Sequence, residues 1–139
     1  MNIENAKRAI AVMERVQRSR DHKFYMGSWF DFVCDTYGNF PTNEEEAVFC
    51  GTSACFLGWL ALAPDIPEIS LGKGDHIIDD EGRVYVQALA HFLEISYARA
   101  EQLCGYGPRL PGGNIYPGNA TPQNVIDSIN YLITQYEEQ

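Results

Sequence analysis

The chain has 139 residues, of which 45% are hydrophobic, 12% aromatic and 21% charged, and this composition excludes a collagen, a disordered tail and a membrane protein. The length is typical of one domain, so we expect a single folded unit over residues 1–139. Ten Lys and Arg against nineteen Asp and Glu give a net charge of −9, which argues against a nucleic-acid partner.

The first predicted element is an amphipathic helix from Ile3 to about Arg18, with Asn2 as its N-cap. Its polar face holds Lys7, Glu14 and Arg18, and Arg8 and Arg15 lie at the margin of that face. Residues 1–23 contain six Lys or Arg and three Asp or Glu, a net charge of +3, so the remainder carries −12. An acidic body with one basic end suits either attraction of a basic partner or plain solubility.

An aromatic-rich segment follows at residues 24–34 and includes Met26 and Trp29. Its apolar residues follow neither a helical nor a strand period, and Gly38 and Pro41 interrupt the chain soon afterwards. We therefore expect irregular or short helical structure, anchored to the core by its aromatic rings.

The run from Ala54 to Ala63 is apolar around the whole circumference of a helix. Such a helix must be surrounded by neighbours, so the sequence predicts a buried central helix at about 52–63. Thr52 or Ser53 is the expected N-cap, and Gly51 allows the turn that precedes it.

The second half of the chain predicts one small sheet and further helices. Residues 76–86 fit a minor β-hairpin, and residues 87–104 fit a helix pair with Ser96 capping the second helix. Thr121 and Pro122 begin the last helix. The inward face of that helix is formed by Val125, Ile126, Ile129, Leu132, Ile133 and Tyr136. The predicted fold is mainly α: a compact helical single domain around the central helix.

The segment Gly105–Gly118 holds five glycines and three prolines, so it cannot form a helix or a central strand. It carries a cation and two aromatic rings of the kinds enriched at interfaces: Arg109, Tyr106 and Tyr116. Because long irregular loops are uncommon unless functional, we predict that these residues bind a partner. The alternative is that the tyrosines pin the loop to its own core.

A six-residue motif marks the start of the central helix: Cys50, Gly51, Thr52, Cys55, Gly58 and Trp59. With this C-G-T-x-x-C-x-x-G-W core the chain resembles a loose group of small uncharacterised phage and bacterial proteins. The resemblance extends to the aromatic segment, the helix pair and the last helix, although Glu94 stands where the group often has Gly. It implies a phage or bacterial accessory protein, and we interpret the motif as structural.

A cysteine at a helix N-terminus can act as a nucleophile, because a lowered thiol pKa favours the thiolate. Cys50 or Cys55 could take this role with a histidine as base: His91, His76 or His22. The protein would then be a cysteine-dependent hydrolase or transferase. We favour the alternative, in which the cysteines are packed in the core.

The sequence predicts no metal and no cofactor. The cysteines form no C-x2-C pair, and the acidic turn before Gly82 lacks the ligand spacing of a calcium loop. Residues 89–100 match the apolar skeleton of a helix-turn-helix. A DNA-binding regulator is nevertheless our third choice, because Arg99 is the only cation on the would-be recognition helix.

Our leading hypothesis is a non-enzymatic phage or bacterial accessory protein that acts through protein–protein contacts, as an acidic modulator or inhibitor of a basic host protein. The first residues lack the pattern of a secretory signal, and no apolar run approaches the ~20 residues that span a bilayer. We therefore expect a cytoplasmic protein without membrane contact, whose cysteines are reduced.

Overall fold

A computed structural model of the protein describes residues 1–26, 30–31, 41–49, 51–72, 76–105, 110 and 120–138. The helices found there are α1 (Ile3–Arg18), α2 (Glu44–Phe49), α3 (Phe56–Leu62), α4 (Tyr85–Leu93), α5 (Tyr97–Leu103) and α6 (Pro122–Glu137). The strands are β1 (Lys23–Phe24), β2 (Phe30–Asp31), β3 (Ser53–Ala54), β4 (Ile69–Leu71) and β5 (Ile77–Asp79). The predicted mainly α fold is confirmed. No helix in the described part is long and apolar enough to cross a bilayer.

The two long helices, α1 and α6, pack against each other. Both helices begin at the residues that we predicted. Asn2 caps α1, since its Oδ1 accepts the backbone N–H of Asn5 at 2.9 Å. Thr121 forms a capping box ahead of Pro122. The buried apolar residues of the pair are Ala6, Ala9, Val12, Met13, Val16, Val125, Ile126, Ile129 and Leu132. The prediction that Tyr136 faces inward is wrong, since that residue is 45% exposed near the end of α6.

The short helix α3 lies at the centre of the core, as predicted, and all of its residues are buried. It begins at Phe56, so the expectation that Thr52 or Ser53 caps it is wrong. The cap is Cys55, whose Sγ accepts the backbone N–H of Gly58 at 3.4 Å. The helix starts late because the residues just before the cap are extended and form β3.

A three-stranded sheet precedes α3, with β3 in the middle, parallel to β1 and antiparallel to β2. Lys23 lies opposite Ser53, and Phe30 lies opposite Ala54. Short helical structure, one of our two expectations for residues 24–34, does not occur at the described positions of that segment. The extended backbone there is fixed by pairing with a distant strand, which no local pattern encodes.

A second small sheet joins β4 and β5 in antiparallel register, with Ile69 opposite Asp79. It lies near the predicted hairpin at 76–86, and Ile78 does form an isolated antiparallel bridge with Val84. The main partner of β5 is nevertheless β4, a strand that the sequence analysis missed. The expected second strand is cut short because α4 begins directly after Val84.

The helices α4 and α5 form the predicted pair, and Ser96 caps α5 by accepting the Arg99 backbone N–H at 3.2 Å. Between them Glu94 adopts the left-handed conformation, with φ 53° and ψ 51°. Glycine takes this conformation without steric cost, so the Gly expected at this position from the resemblance fits the backbone better than Glu. The same turn holds the start of α1, because the Asn2 N–H donates to the Leu93 carbonyl at 2.7 Å.

Substitutions at this turn should separate backbone strain from side-chain contacts. We expect Glu94→Gly to keep or raise the free energy of unfolding, by up to ~1 kcal/mol, and Glu94→Val to lower it by ~1–2 kcal/mol. Both variants lose the exposed hydrogen bond from Asn2 Nδ2 to the Glu94 carboxylate, so the comparison isolates the backbone. Urea unfolding measures the difference in stability. A Gly variant that is less stable than the Val variant would contradict our inference of backbone strain at position 94.

Candidate functional site

The six-residue motif belongs to the core. The buried members are Thr52, Cys55, Gly58 and Trp59. Gly51 has φ +78°, the left-handed conformation that the predicted turn requires. Cys50 lies outside the described residues. The burial of these members is consistent with a structural role, which stays a prediction.

The two described thiols are poorly suited to nucleophilic chemistry. Burial raises the pKa of the Cys55 thiol to about 11. Burial also raises the pKa of the Cys104 thiol well above its ordinary value, and the neighbouring Cys55 adds to the effect. Both groups are therefore protonated at neutral pH, whereas a reactive cysteine needs a lowered pKa and access to solvent.

This environment predicts slow reaction with thiol reagents. Cys55 and Cys104 should be labelled slowly by iodoacetamide in the native protein and rapidly after denaturation, because both are at most 4% exposed. Mass spectrometry of the separated peptides distinguishes them from Cys34 and Cys50, which lie outside the described residues. Labelling of native Cys55 as fast as that of the unfolded chain would restore the catalytic hypothesis.

His91, the first candidate base, is exposed on α4. It lines a shallow pocket of about 240 Å³ together with Glu68, Asp79 and Glu94, and Cys55 is not among the residues of that pocket. In the described part of the chain, no three His, Cys, Asp or Glu side chains are grouped to hold a metal ion. The predicted loop residues Tyr106, Arg109 and Tyr116 lie outside the described residues, so their binding role stays a prediction.

Two arginines of α1, Arg8 and Arg15, are paired with carboxylates of the chain itself. Arg15 donates to both carboxylate oxygens of Glu44 and to Asp65, each at 2.9 Å. Arg8 donates to Glu68 at 2.9 Å. The two arginines at the margin of the polar face therefore tie α1 to α2 and to the segment after α3, and they contribute less positive charge to the surface than the sequence suggests.

These ion pairs predict a loss of stability in acid. The hydrogen bond from Arg15 lowers the pKa of Asp65, and that from Arg8 lowers the pKa of Glu68, from ordinary values of 3.8 and 4.5. The two ion pairs thus stabilise the fold fully above the ordinary pKa values of the carboxyls. Between the ordinary and the lowered pKa values the unfolded chain binds more protons than the folded one, so this stabilisation falls with pH and is lost below the folded-state pKa values. Replacing both arginines by methionine should flatten this slope in urea titrations below pH ~4.5; an unchanged slope would contradict the assignment.

The helix α2 is short but firmly placed. Asn43 Oδ1 accepts the backbone N–H of Glu46 at 2.9 Å, and the Glu46 carboxylate accepts the Thr42 backbone N–H at 2.9 Å. Ala47 is fully buried, and its carbonyl accepts the Thr52 N–H at 2.9 Å. These contacts fix the position of the α2 backbone.

The outer face of α2 combines negative charge with an aromatic ring. Phe49 is 92% exposed. Glu45 precedes it by four residues, so the two residues lie on the same side of the helix. Glu46, also exposed, is three residues before Phe49. In the free protein the apolar surface of this ring is left in contact with water. Exposed aromatic rings of this kind are frequent at binding surfaces.

A cleft of about 480 Å³ adjoins this face and is lined by His22, Asn43, Glu44, Glu45, Val48 and Pro64. The His22 side chain is only 10% exposed, and its ring packs on Trp59 with 4.8 Å between centroids. Its Nε2 lies 3.4 Å from Glu44 Oε2, but the geometry of that ion-pair contact is not that of a hydrogen bond, and neither ring nitrogen has a hydrogen-bond partner. The cleft therefore has polar, negative and apolar walls.

Sequence reasoning missed this site. The three consecutive glutamates of α2 and the neighbouring Phe49 match no functional motif. His22 was a candidate base for a thiol, whereas the structure places it beside Glu44 and Trp59. The usable signal was the four-residue spacing of Glu45 and Phe49 opposite the small, buried Ala47.

The chain matches no protein-family model, no curated protein and no solved structure. The resemblance to phage and bacterial proteins thus stays a prediction.

Proposed function

We propose that the protein is a non-enzymatic accessory protein that binds a basic protein through an acidic surface centred on α2. The observation that carries this proposal is the 92% exposure of Phe49 beside the exposed carboxylates of Glu45 and Glu46. An aromatic anchor gains most from burial at an interface, and surrounding negative charge favours a positively charged partner. A phage or bacterial modulator of a basic host protein would have these properties.

The charge distribution supports the same partner. The formal charge is −9, and Arg8 and Arg15 are held by the protein's own carboxylates. Other carboxylates lie on the exposed surface: Glu4, Glu14, Asp21, Glu45, Glu46, Asp80, Glu94, Asp127, Glu137 and Glu138. Such a surface accelerates encounter with a basic protein and repels nucleic acid.

The test begins with capture from a bacterial extract, but only pairwise binding of purified proteins decides it. We expect a basic protein to bind at micromolar or lower Kd in calorimetry, with affinity that falls as salt is added. Phe49→Ala should weaken that binding by about tenfold or more, whereas Tyr97→Ala, which removes a 51% exposed ring from α5, should not. Failure of every purified candidate to bind, or retention of duplex DNA in a gel shift, would overturn the proposal.

A further inference from the structure

The cleft beside α2 has the chemical composition of a receptor for a cationic side chain. Val48 and Pro64 offer apolar contact, and Glu45 offers an exposed carboxylate. Lysine and arginine combine an aliphatic stem with a charged end, and these two parts match the two kinds of wall. The volume of about 480 Å³ is within the range of sites that enclose small ligands and large side chains.

The two carboxylates of the cleft are not equivalent. Both oxygens of Glu44 already accept hydrogen bonds from Arg15, each at 2.9 Å. Within the described part of the chain, no hydrogen bond or ion pair joins Glu45 to another residue. Glu45 is therefore the carboxylate that can receive a new cation, while Glu44 adds negative potential and fixes the wall.

The wall of the cleft also includes the largely buried His22. Its ring packs on Trp59, and its Nε2 lies 3.4 Å from Glu44 Oε2. These contacts hold the part of the wall behind Glu44 in place, and the open carboxylate of the cleft is that of Glu45.

We propose that the cleft receives one lysine or arginine side chain of the basic partner, with Phe49 packing against the partner surface next to it. This inference rests on the proposed function, because it identifies the residues by which the acidic surface selects a basic protein. Glu45 stands between the two contacts, on the cleft wall and four residues before the exposed ring. It is the specificity-determining residue of the surface.

The test uses a short peptide with one arginine between two leucines, and a second peptide in which the neutral isostere citrulline replaces arginine. In NMR titrations of the full chain, the arginine peptide should shift the backbone amides of residues 43–49, and the citrulline peptide should not. Glu45→Gln should weaken the arginine peptide about tenfold, because a charge-assisted hydrogen bond is lost. Asp127→Asn, which removes an exposed carboxylate from α6, should bind like wild type.

The outcomes separate the cleft from the proposed function. Shifts spread evenly over all exposed carboxylates, or equal binding by Glu45→Gln and wild type, would overturn the cleft as the receptor. If the cleft fails these tests but a purified basic protein still binds in a way that depends on Phe49, the proposed function stands without the cleft. If the peptide occupies the cleft but no basic protein binds, the cleft remains a cation site and the proposed function fails.

Discussion

Replacing Trp59 by alanine should lower the free energy of unfolding by ~3–5 kcal/mol, a large part of the ~5–15 kcal/mol typical of a domain. The indole is fully buried at the centre of the core and packs on the His22 ring. Its Nε1–H donates to the Lys23 carbonyl at 3.1 Å, which joins α3 to β1. The variant therefore loses a large apolar contact, a hydrogen bond and the ring on which His22 packs, and thermal melting should show a clear fall in Tm.

Trp59→Phe is the matched control. It keeps an aromatic ring in the core and removes the indole N–H, so we expect a smaller loss of ~1–2 kcal/mol. Melting of Trp59→Ala at the wild-type temperature, together with loss of partner binding, would instead make Trp59 a binding residue. That result would reverse our interpretation of the motif as structural.

The helices that the sequence predicted well are those whose signals are local. Apolar residues at helical spacing and a capping side chain at the first turn are properties of neighbouring residues, and Asn2, Ser96 and Thr121 all cap the helices we assigned to them. A cap stabilises its helix wherever the helix packs. A cap can therefore be predicted from the sequence without knowledge of the tertiary structure.

The strands could not be predicted in the same way. β1, β2 and β3 contain two residues each, too few for an alternating pattern, and they exist because distant segments pair. This pairing also explains the misplaced cap of α3. Because Ser53 and Ala54 are extended in the sheet, the first residue free to cap is Cys55, whose sulfur is a weak acceptor that sequence reasoning ranks below Thr or Ser.

The candidate site shows the same division between local and distant information. The sequence placed Arg15 at the margin of the polar face of α1, and the structure finds it there, partly exposed. Its partners Glu44 and Asp65 come from other parts of the chain, so only the fold reveals that its charge is used internally. The exposure of Phe49 has the same origin, since the direction of α2 is set by buried Ala47.

The second large effect is expected at α6, the helix that follows the segment 106–119 along the chain. Ile129→Ala should lower the free energy of unfolding by ~2–5 kcal/mol, because Ile129 is fully buried and its truncation leaves a cavity in the core. α6 packs chiefly against α1, whose buried face includes the small residues Ala6 and Ala9. Large side chains from α6 therefore fill the space between the two helices.

Ile133→Ala provides the comparison within the same helix. Ile133 lies one turn beyond Ile129 but is only partly buried, so its truncation removes less apolar contact and should cost less than half as much. Urea unfolding of the two variants gives the ratio directly. Equal and small losses would contradict the placement of Ile129 in the core between α1 and α6, whereas a larger loss at Ile129 would support it.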